Sequence, residues 1–185
     1  MQGEKRLFTA IELPDSWHYA ISNTQAAFKN RGVQGNYIPV ESLHLTINFI
    51  GETSLEARII DQMSRLSFPM RIDVSAAEGG LFPRRRGGDL IVWHIFCDRD
   101  FRLYQKAESE AFAGLGIPME RRPYTPHLTL VRRARGSFLK SPEFPFVFAK
   151  PEPFSVSEIL LLRSELVDGK RVYTPVHRHI LNQNT

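Results

Sequence analysis

The sequence predicts an α+β fold with mainly antiparallel sheets, arranged as two lobes around a central cleft. Strand-like segments outnumber helical ones and do not alternate regularly with them, which argues against a doubly wound parallel sheet. In addition, residues 44–49 (HLTINF) and 127–132 (HLTLVR) repeat one pattern 83 residues apart (127 − 44 = 83), nearly half of the 185-residue chain. We therefore expect two similar lobes related by a pseudo-twofold axis, each carrying one copy of the pattern.

The first half of the chain reads as strand, helix, strand and helix. Apolar runs mark the strands, apolar residues three to four apart mark the helices, and Pro, Gly or a short polar cap marks the boundaries. The first predicted strand covers 5–13 and ends at Pro14, and the helix that follows is capped by Asp15 or Ser16 and runs to about 29. The first repeat strand covers 43–50 and ends at Gly51. The second helix is capped by Thr53 or Ser54 and runs to about 66.

The second half adds one helix and more strands, and the same signals define them. Strands at 70–76 and 90–97 are joined by a glycine-rich turn region at 78–88, and a helix at 101–115 is stopped by Gly116 and Pro118. The second repeat strand covers 127–132, and an irregular stretch follows at 133–153. The last two strands, at 154–164 and 171–177, are joined by a turn at Asp168-Gly169.

Composition is typical of a globular protein with a substantial core. Hydrophobic residues make up 42% of the chain, which suits one compact domain or two small lobes sharing a core. No segment approaches the roughly 20 consecutive apolar residues of a membrane span, and the charged N-terminus lacks the apolar run of a signal peptide. Cys97 is the only cysteine, so an internal disulfide is excluded. It lies in an apolar run, and we expect it to be a core residue. We predict a cytoplasmic protein with residues 1–185 as a single bilobal domain.

The repeated pattern places a histidine and a threonine two residues apart on a strand. Side chains at i and i+2 share one face of a strand, so His44 lies beside Thr46 and His127 beside Thr129, while the intervening leucines face a core. A single histidine in an apolar strand is more often structural than catalytic. Two copies in matching contexts reverse that preference, because two imidazoles can act as general acid and general base around one reacting group.

Positive charge is concentrated near the second repeat. The net charge is +4, and arginines cluster at 84–86, 121–122 and 132–135. Ordinary solvated surface charge explains any one cluster, but two of the three flank the second repeat, which favours a polyanionic partner. No Gly-rich phosphate loop of the P-loop type is present, which disfavours ATP-driven ligation.

With these residues in place, the chain resembles the 2H phosphoesterase superfamily, whose signature is a pair of His-x-Thr strands half a chain apart. The resemblance extends to segments 6–14, 43–51, 81–84 with 90–93, 126–132, and 164–169 with 173–175. The most similar branch is the RNA 2′,3′-cyclic phosphodiesterases, also called 2′-5′ RNA ligases.

The resemblance implies hydrolysis of RNA 2′,3′-cyclic phosphate ends to 2′-phosphates without a metal or other cofactor, and a weak reverse activity that joins RNA through a 2′-5′ bond. By analogy, His44 donates a proton to the leaving oxygen and His127 accepts a proton from water. Thr46 and Thr129 then bind the phosphoryl oxygens. The expected partners are RNA ends such as tRNA fragments, with neither membrane nor metal, and the protein is expected to be a monomer.

Three further residues are candidates for substrate binding. Arg132 can contact two phosphate oxygens, but it shares a face with His127 and Thr129 only if the strand twists, bulges or ends there. Tyr124 and Phe8 are candidates for stacking on a terminal base, and core packing is the alternative for both.

Two other functions fit the same residues. The mechanism could act on 2′-5′-linked oligonucleotides or on a small cyclic phosphate nucleotide, depending on the loops at 79–89 and 133–153. Alternatively, the chain is a non-catalytic RNA-binding module whose histidines serve only for packing.

Overall fold

The structure, a computed structural model, describes residues 4–66 and 72–181. Its helices are α1 (Asp15–Asn30), α2 (Glu56–Arg65) and α3 (Arg99–Ala113). Its strands are β1 (Lys5–Glu12), β2 (Gln34–Tyr37), β3 (His44–Thr53), β4 (Ile72–Phe82), β5 (Asp89–Cys97), β6 (His127–Arg135), β7 (Phe154–Val156), β8 (Glu158–Val167) and β9 (Lys170–Ile180).

The strands form two sheets, and the predicted α+β class is confirmed. The first sheet has the order β3-β1-β8-β9 and the second the order β2-β6-β5-β4-β7. All neighbouring strands run antiparallel. The first repeat lies on β3 and the second on β6, which we call the motif strands, so each sheet carries one copy. A buried cluster that draws on both sheets and all three helices forms the main core.

Two of the three helices, α1 and α3, contact the motif strand of the other half of the chain. Helix α1 follows β1 of the first sheet but packs against β6 of the second sheet. Helix α3 follows β5 of the second sheet, and it packs against β3 of the first sheet as well as against β4 and β5. Each motif strand is therefore supported by a helix that lies far from it in sequence. This exchange was not predicted, because helical periodicity defines an apolar face and not the sheet that covers it.

Both motif strands contain a β-bulge at the same position. Opposite β1, Thr9 pairs with Asn48 and Ala10 with Thr46, so Ile47 is the extra residue. Opposite β5, Val92 pairs with Thr129 and Ile91 with Val131, so Leu130 is the extra residue. Burial over the first six residues is also the same in both strands: partly buried, buried, partly buried, buried, buried and exposed.

Several predicted boundaries were wrong. Residues 78–82 belong to β4 and not to a turn region, since Gly79 and Gly80 pair with β5. The single strand predicted at 154–164 is divided at Ser157 into β7 and β8, which join different sheets. Strand β2 was missed because its polar sequence has no apolar alternation and pairs only with β6. Residues 70 and 71 of the predicted strand at 70–76 lie outside the described residues.

The predicted caps of the first two helices were also wrong. Asp15 is the first residue of α1, and Pro14 precedes it without a side-chain cap. Helix α2 begins at Glu56, after Leu55. Thr53 Oγ instead accepts a hydrogen bond from the Leu55 backbone N–H at 3.1 Å. Both helices are held mainly by their buried faces, which include Trp17 and Ile59.

Candidate active site

A cleft of about 590 Å³ lies between the two motif strands. It brings together six of the seven residues predicted from sequence, which come from both halves of the chain: His44, Thr46, Tyr124, His127, Thr129 and Arg132. The two histidines and two threonines are partly buried, so each contributes to the cleft wall and remains accessible from it.

The two histidines are held in the same way. His44 Nδ1 lies 3.0 Å from the carbonyl oxygen of Ser42, and His127 Nδ1 lies 2.8 Å from that of Thr125. A backbone carbonyl can only accept, so Nδ1 is the protonated nitrogen in each neutral ring. Nε2 is then the nitrogen available for proton transfer in both histidines. Each bond spans two residues, so the local chain before the motif sets the orientation of the ring.

His44 lies in a more apolar setting than its counterpart. Its ring packs 4.7 Å from Phe8 and 4.9 Å from Tyr173, measured between ring centroids. Burial lowers the pKa of His44 from its ordinary 6.5 to about 4, against a smaller opposing effect of the Ser42 carbonyl. The ring is consequently neutral near pH 7. His127 has one aromatic contact of this kind, with Phe82 at 5.0 Å.

The bulges determine which residue completes each motif. Without a bulge, Arg132 would fall on the face opposite to Thr129; the extra residue at Leu130 brings it into phase, and it lines the cleft. The bulge at Ile47 does the same for Phe49, which lines the cleft with 49% of its surface exposed. Arg132 was expected to share a face with His127 and Thr129 only if the strand twists, bulges or ends there, and the strand does bulge. The cleft has a cation on one side and an aromatic ring on the other.

Tyr124 and Phe8 occupy different environments. Tyr124 lines the cleft, and its hydroxyl donates to the Thr46 carbonyl oxygen at 2.6 Å, linking the two halves of the chain. Phe8 is only 2% exposed and is absent from the cleft wall. Its ring supports His44, so Phe8 follows the core-packing alternative and has no face open to a base.

Several residues of the cleft were not predicted from sequence. Phe49, Phe82 and Tyr173 line it, and so do Arg84 and Arg122. Arg122 forms an exposed ion pair with a glutamate, Glu120, at 2.6 Å. The three arginines and one glutamate that line the cleft leave a net charge of +2, counted without the histidines. The arginine clusters were the available signal, whereas only the strand register brings the aromatic rings to the histidines.

Two other features bear on the site. In the ranges 4–66 and 72–181, no group of three or more His, Cys, Asp and Glu side chains is arranged to hold a metal ion. The same ranges contain no helix long and apolar enough to cross a membrane. Cys97 is 2% exposed, and burial raises the pKa of its thiol to about 12, as expected of a core residue.

These features define a class of α+β protein in which two His-x-Thr strands face one cleft, and solved structures share the fold. Escherichia coli LigT complexed with 3′-AMP matches with a TM-score of 0.76 and 25% identity, over 97% of this chain and 99% of that one. TT0787 of Thermus thermophilus matches with a TM-score of 0.72 and 25% identity, over 97% and 100%.

Curated proteins extend the comparison. The RNA 2′,3′-cyclic phosphodiesterase of Thermus thermophilus is 30% identical over 199 residues, covering 95% of this chain and 90% of the relative. The protein of the same name from Escherichia coli is 29% identical over 192 residues, covering 99% and 100%. No family model matches the chain. The chain belongs to the RNA 2′,3′-cyclic phosphodiesterase family of 2H phosphoesterases.

Proposed function

We propose that this protein hydrolyses RNA 2′,3′-cyclic phosphate ends to 2′-phosphates, using two histidines and no metal. The observation that carries the proposal is the matched pair of imidazoles in one cleft, each with Nδ1 held by a carbonyl and Nε2 left for proton transfer. The names of the curated relatives support the reaction, and the 3′-AMP complex of LigT supports a nucleotide ligand in this fold.

In the proposed reaction, His127 Nε2 accepts a proton from water as the water oxygen attacks phosphorus. The bond from phosphorus to O3′ breaks, and His44 Nε2 donates a proton to O3′. The 2′-phosphate leaves with a 3′-hydroxyl, and the two histidines have exchanged protonation states. Acid–base catalysis of this kind contributes about 10²–10⁴-fold per group. A 5′-hydroxyl in place of water would give weak 2′-5′ joining of RNA.

The phosphoryl oxygens would be held by three side chains. Thr46 and Thr129 donate hydroxyl hydrogen bonds from the two motif strands, and Arg132 supplies two N–H donors and a positive charge. Charge stabilisation of this kind is effective where donors are fixed before the substrate arrives. Thr46 and Thr129 lie on regular strand positions, and Arg132 is placed by the bulge.

The assignment of His44 as the proton donor requires the substrate to recharge it. A proton donor must enter the reaction as imidazolium, whereas burial lowers the pKa of His44 and keeps the ring neutral without substrate. An anionic cyclic phosphate beside the ring favours the charged form and raises its pKa. The opposite order of roles, with His127 as donor, is the alternative, so the assignment is tested separately below.

The cleft suits the end of an RNA chain. Its positive lining attracts phosphates. The exposed ring of Phe49 offers an aromatic surface for a terminal base, and the Arg6 guanidinium lies 5.0 Å from its ring centroid. Phe49 therefore replaces Phe8 as the stacking residue, beside Tyr124. We propose tRNA fragments as one natural class of such ends, and a cytoplasmic monomer as the working form.

The deciding experiment is hydrolysis of a short RNA ending in a 2′,3′-cyclic phosphate, with EDTA present and the product isomer identified. The expected result is turnover that yields only the 2′-phosphate. His44→Ala and His127→Ala should each lower kcat by at least about 10²-fold. His18→Ala is the matched control, because His18 lies on α1 and is absent from the cleft wall.

Other outcomes select the alternatives. Turnover that EDTA abolishes would contradict the metal-free mechanism. Preference for 2′-5′-linked oligonucleotides or for a cyclic mononucleotide would change the substrate and keep the histidines. Unchanged turnover in His127→Ala would exclude the mechanism. Binding of the cyclic-ended RNA without turnover would favour a non-catalytic RNA-binding module.

A further inference from the structure

The bulge in the second motif strand is contacted by a buried side chain from the exchanged helix. Gln25 of α1 is 6% exposed, and its Nε2 donates to the carbonyl oxygen of Leu130 at 3.0 Å and to that of Ile38 at 2.8 Å. The Leu130 carbonyl also accepts from the Ile38 backbone N–H at 3.0 Å. Leu130 is the extra residue of the bulge, and Gln25 is the second donor to its carbonyl, so the side chain holds the bulged backbone to α1 and to the chain that follows β2.

The bulge in the first motif strand has a related contact. The Asn48 backbone N–H, next to the extra residue Ile47, donates to Thr9 Oγ at 3.2 Å. The Thr9 hydroxyl in turn donates to Glu108 Oε2 at 2.5 Å, and Asn48 Nδ2 donates to the same oxygen at 2.8 Å. Glu108 lies on α3 and is fully buried, and its other oxygen accepts from the Tyr104 hydroxyl at 3.1 Å.

These two contacts are equivalent under the internal repeat. Gln25 and Glu108 are separated by 83 residues (108 − 25 = 83), the same spacing as His44 and His127. Each belongs to the helix that packs on the opposite motif strand, and neither lines the cleft. A buried polar side chain therefore lies at the same place in both halves and is linked to the β-bulge of a motif strand, which indicates that it stabilises the bulge.

We propose that Gln25 and Glu108 are positioning residues that hold the two bulges, and thereby keep Arg132 and Phe49 turned into the cleft. Gln25 gives the Leu130 carbonyl a second donor, and Glu108 holds the Thr9 hydroxyl that accepts from the Asn48 N–H, so each bulge is fixed by a buried hydrogen bond to the exchanged helix. If these hydrogen bonds are lost, regular pairing of the strand becomes more stable than the bulge. A shift of one residue would then turn the sixth motif residue to the opposite face.

The test of the second bulge is a double-mutant cycle between Gln25→Met and Arg132→Ala, which rests on the proposed role of Arg132. Methionine keeps the length of glutamine and lacks the donor. We expect Gln25→Met to lower kcat/KM for a cyclic-ended RNA by about 10²-fold in the wild-type background, and by less than about threefold once Arg132 is already alanine. Equal losses in both backgrounds, or no loss in the first, would overturn the proposal.

The first bulge is tested at Thr9, which carries the link from Glu108 to the bulge. Thr9→Val keeps the shape and removes the hydroxyl, whereas Thr9→Ser keeps the hydroxyl. The valine variant should lose activity by about tenfold or more. This loss should disappear in a background in which Phe49 is also replaced. The serine variant and Glu108→Gln should stay within about threefold of wild type, because a glutamine oxygen can still accept the hydrogen bonds of Thr9 and Asn48. Equal activities of the valine and serine variants would overturn this half of the proposal.

The controls separate folding from positioning, and the positioning proposal from the proposed function. Asn23→Met and Glu110→Gln change exposed residues of the same two helices and should leave kcat/KM unchanged. The same cycles are measured by binding of adenosine 2′-monophosphate, the expected type of product. If wild type binds but does not hydrolyse, the proposed function fails, while the coupling of Gln25 to Arg132 in affinity still decides the positioning proposal.

Discussion

At the scale of single residues, the two halves of the site differ although both carry the same His-x-Thr motif. Both histidines are held through Nδ1 by a carbonyl two residues earlier. Phe8 and Tyr173 enclose His44, and burial lowers its pKa to about 4. The apolar surroundings of His44 therefore come from its neighbours in the tertiary structure and not from its motif.

A substrate with sulfur in place of the bridging O3′ tests the role of His44. A thiolate leaves without a proton, so the general acid is no longer needed. We expect His44→Ala to lose about 10²–10⁴-fold on the oxygen substrate and less than about tenfold on the sulfur substrate. His127→Ala should lose activity on both. Rescue of His127→Ala instead would reverse the assignment, and single-turnover rates with both substrates give the answer.

Glu108 predicts an unusual pH dependence of stability. Burial raises its pKa to about 7, against opposing hydrogen bonds from Thr9, Asn48 and Tyr104. Between pH 4.5, its ordinary pKa, and pH 7 the unfolded chain releases this proton and the native state keeps it. Glu108 therefore contributes most stability below about pH 4.5, and this contribution is lost as pH rises through 7.

Glu108→Gln should remove that dependence. Relative to wild type, the variant should gain on the order of 1–3 kcal/mol in free energy of unfolding between about pH 5 and pH 8. Urea unfolding of both proteins at the two pH values measures the change, and other titrating groups cancel in the difference. Glu110→Gln on the same helix is the control. A difference that does not vary with pH would contradict the prediction.

At the scale of elements, irregularities in the strands build the cleft. The bulges at Ile47 and Leu130 turn the sixth residue of each motif into the cleft. Strand β4 continues through Gly79 because its glycine leaves room for the Phe148 ring: a Cβ at Gly79 would lie 2.2 Å from that ring. Phe148 packs against aromatic rings of the core on α1 and β5, so it has little freedom to withdraw.

Gly79→Ala should consequently destabilise the protein. The added methyl group overpacks a filled core, and we expect a loss of about 1–3 kcal/mol in the free energy of unfolding. Gly114→Ala at the end of α3 is the matched control, since its φ of −61° suits any residue. Chemical denaturation of the two variants measures the difference. Equal stabilities would show that Phe148 moves aside at no cost.

At the scale of the whole molecule, charge is distributed unevenly around the cleft. The arginines that line it, Arg84, Arg122 and Arg132, come from β6 and from the loops before β5 and β6. The loop before β5 also carries Arg85 and Arg86, both exposed. An RNA chain leading to the cleft would meet this side, whereas a cyclic mononucleotide has no further phosphates to place there.

The length and salt dependence of catalysis should reflect this arrangement. We expect kcat/KM to be higher for a cyclic-ended decamer than for a 2′,3′-cyclic mononucleotide, and the advantage to fall as salt rises. Arg84→Ala should reduce the advantage by several-fold with little effect on the mononucleotide. Arg58→Ala on α2, away from the cleft, is the control. An advantage that is absent at low salt would contradict the prediction.

Local sequence determined the α+β class, the two motif strands, and the His and Thr residues of the cleft. These depend on strand periodicity and on a repeat, both of which are properties of neighbouring residues. Tertiary structure decided which helix supports each motif strand, where the strands bulge, and which aromatic residues enclose His44. It also decided that Phe8 is packed away and that Phe49 is exposed. Such features arise from pairing and packing between distant segments, where the free energy belongs to the contact and not to either sequence alone.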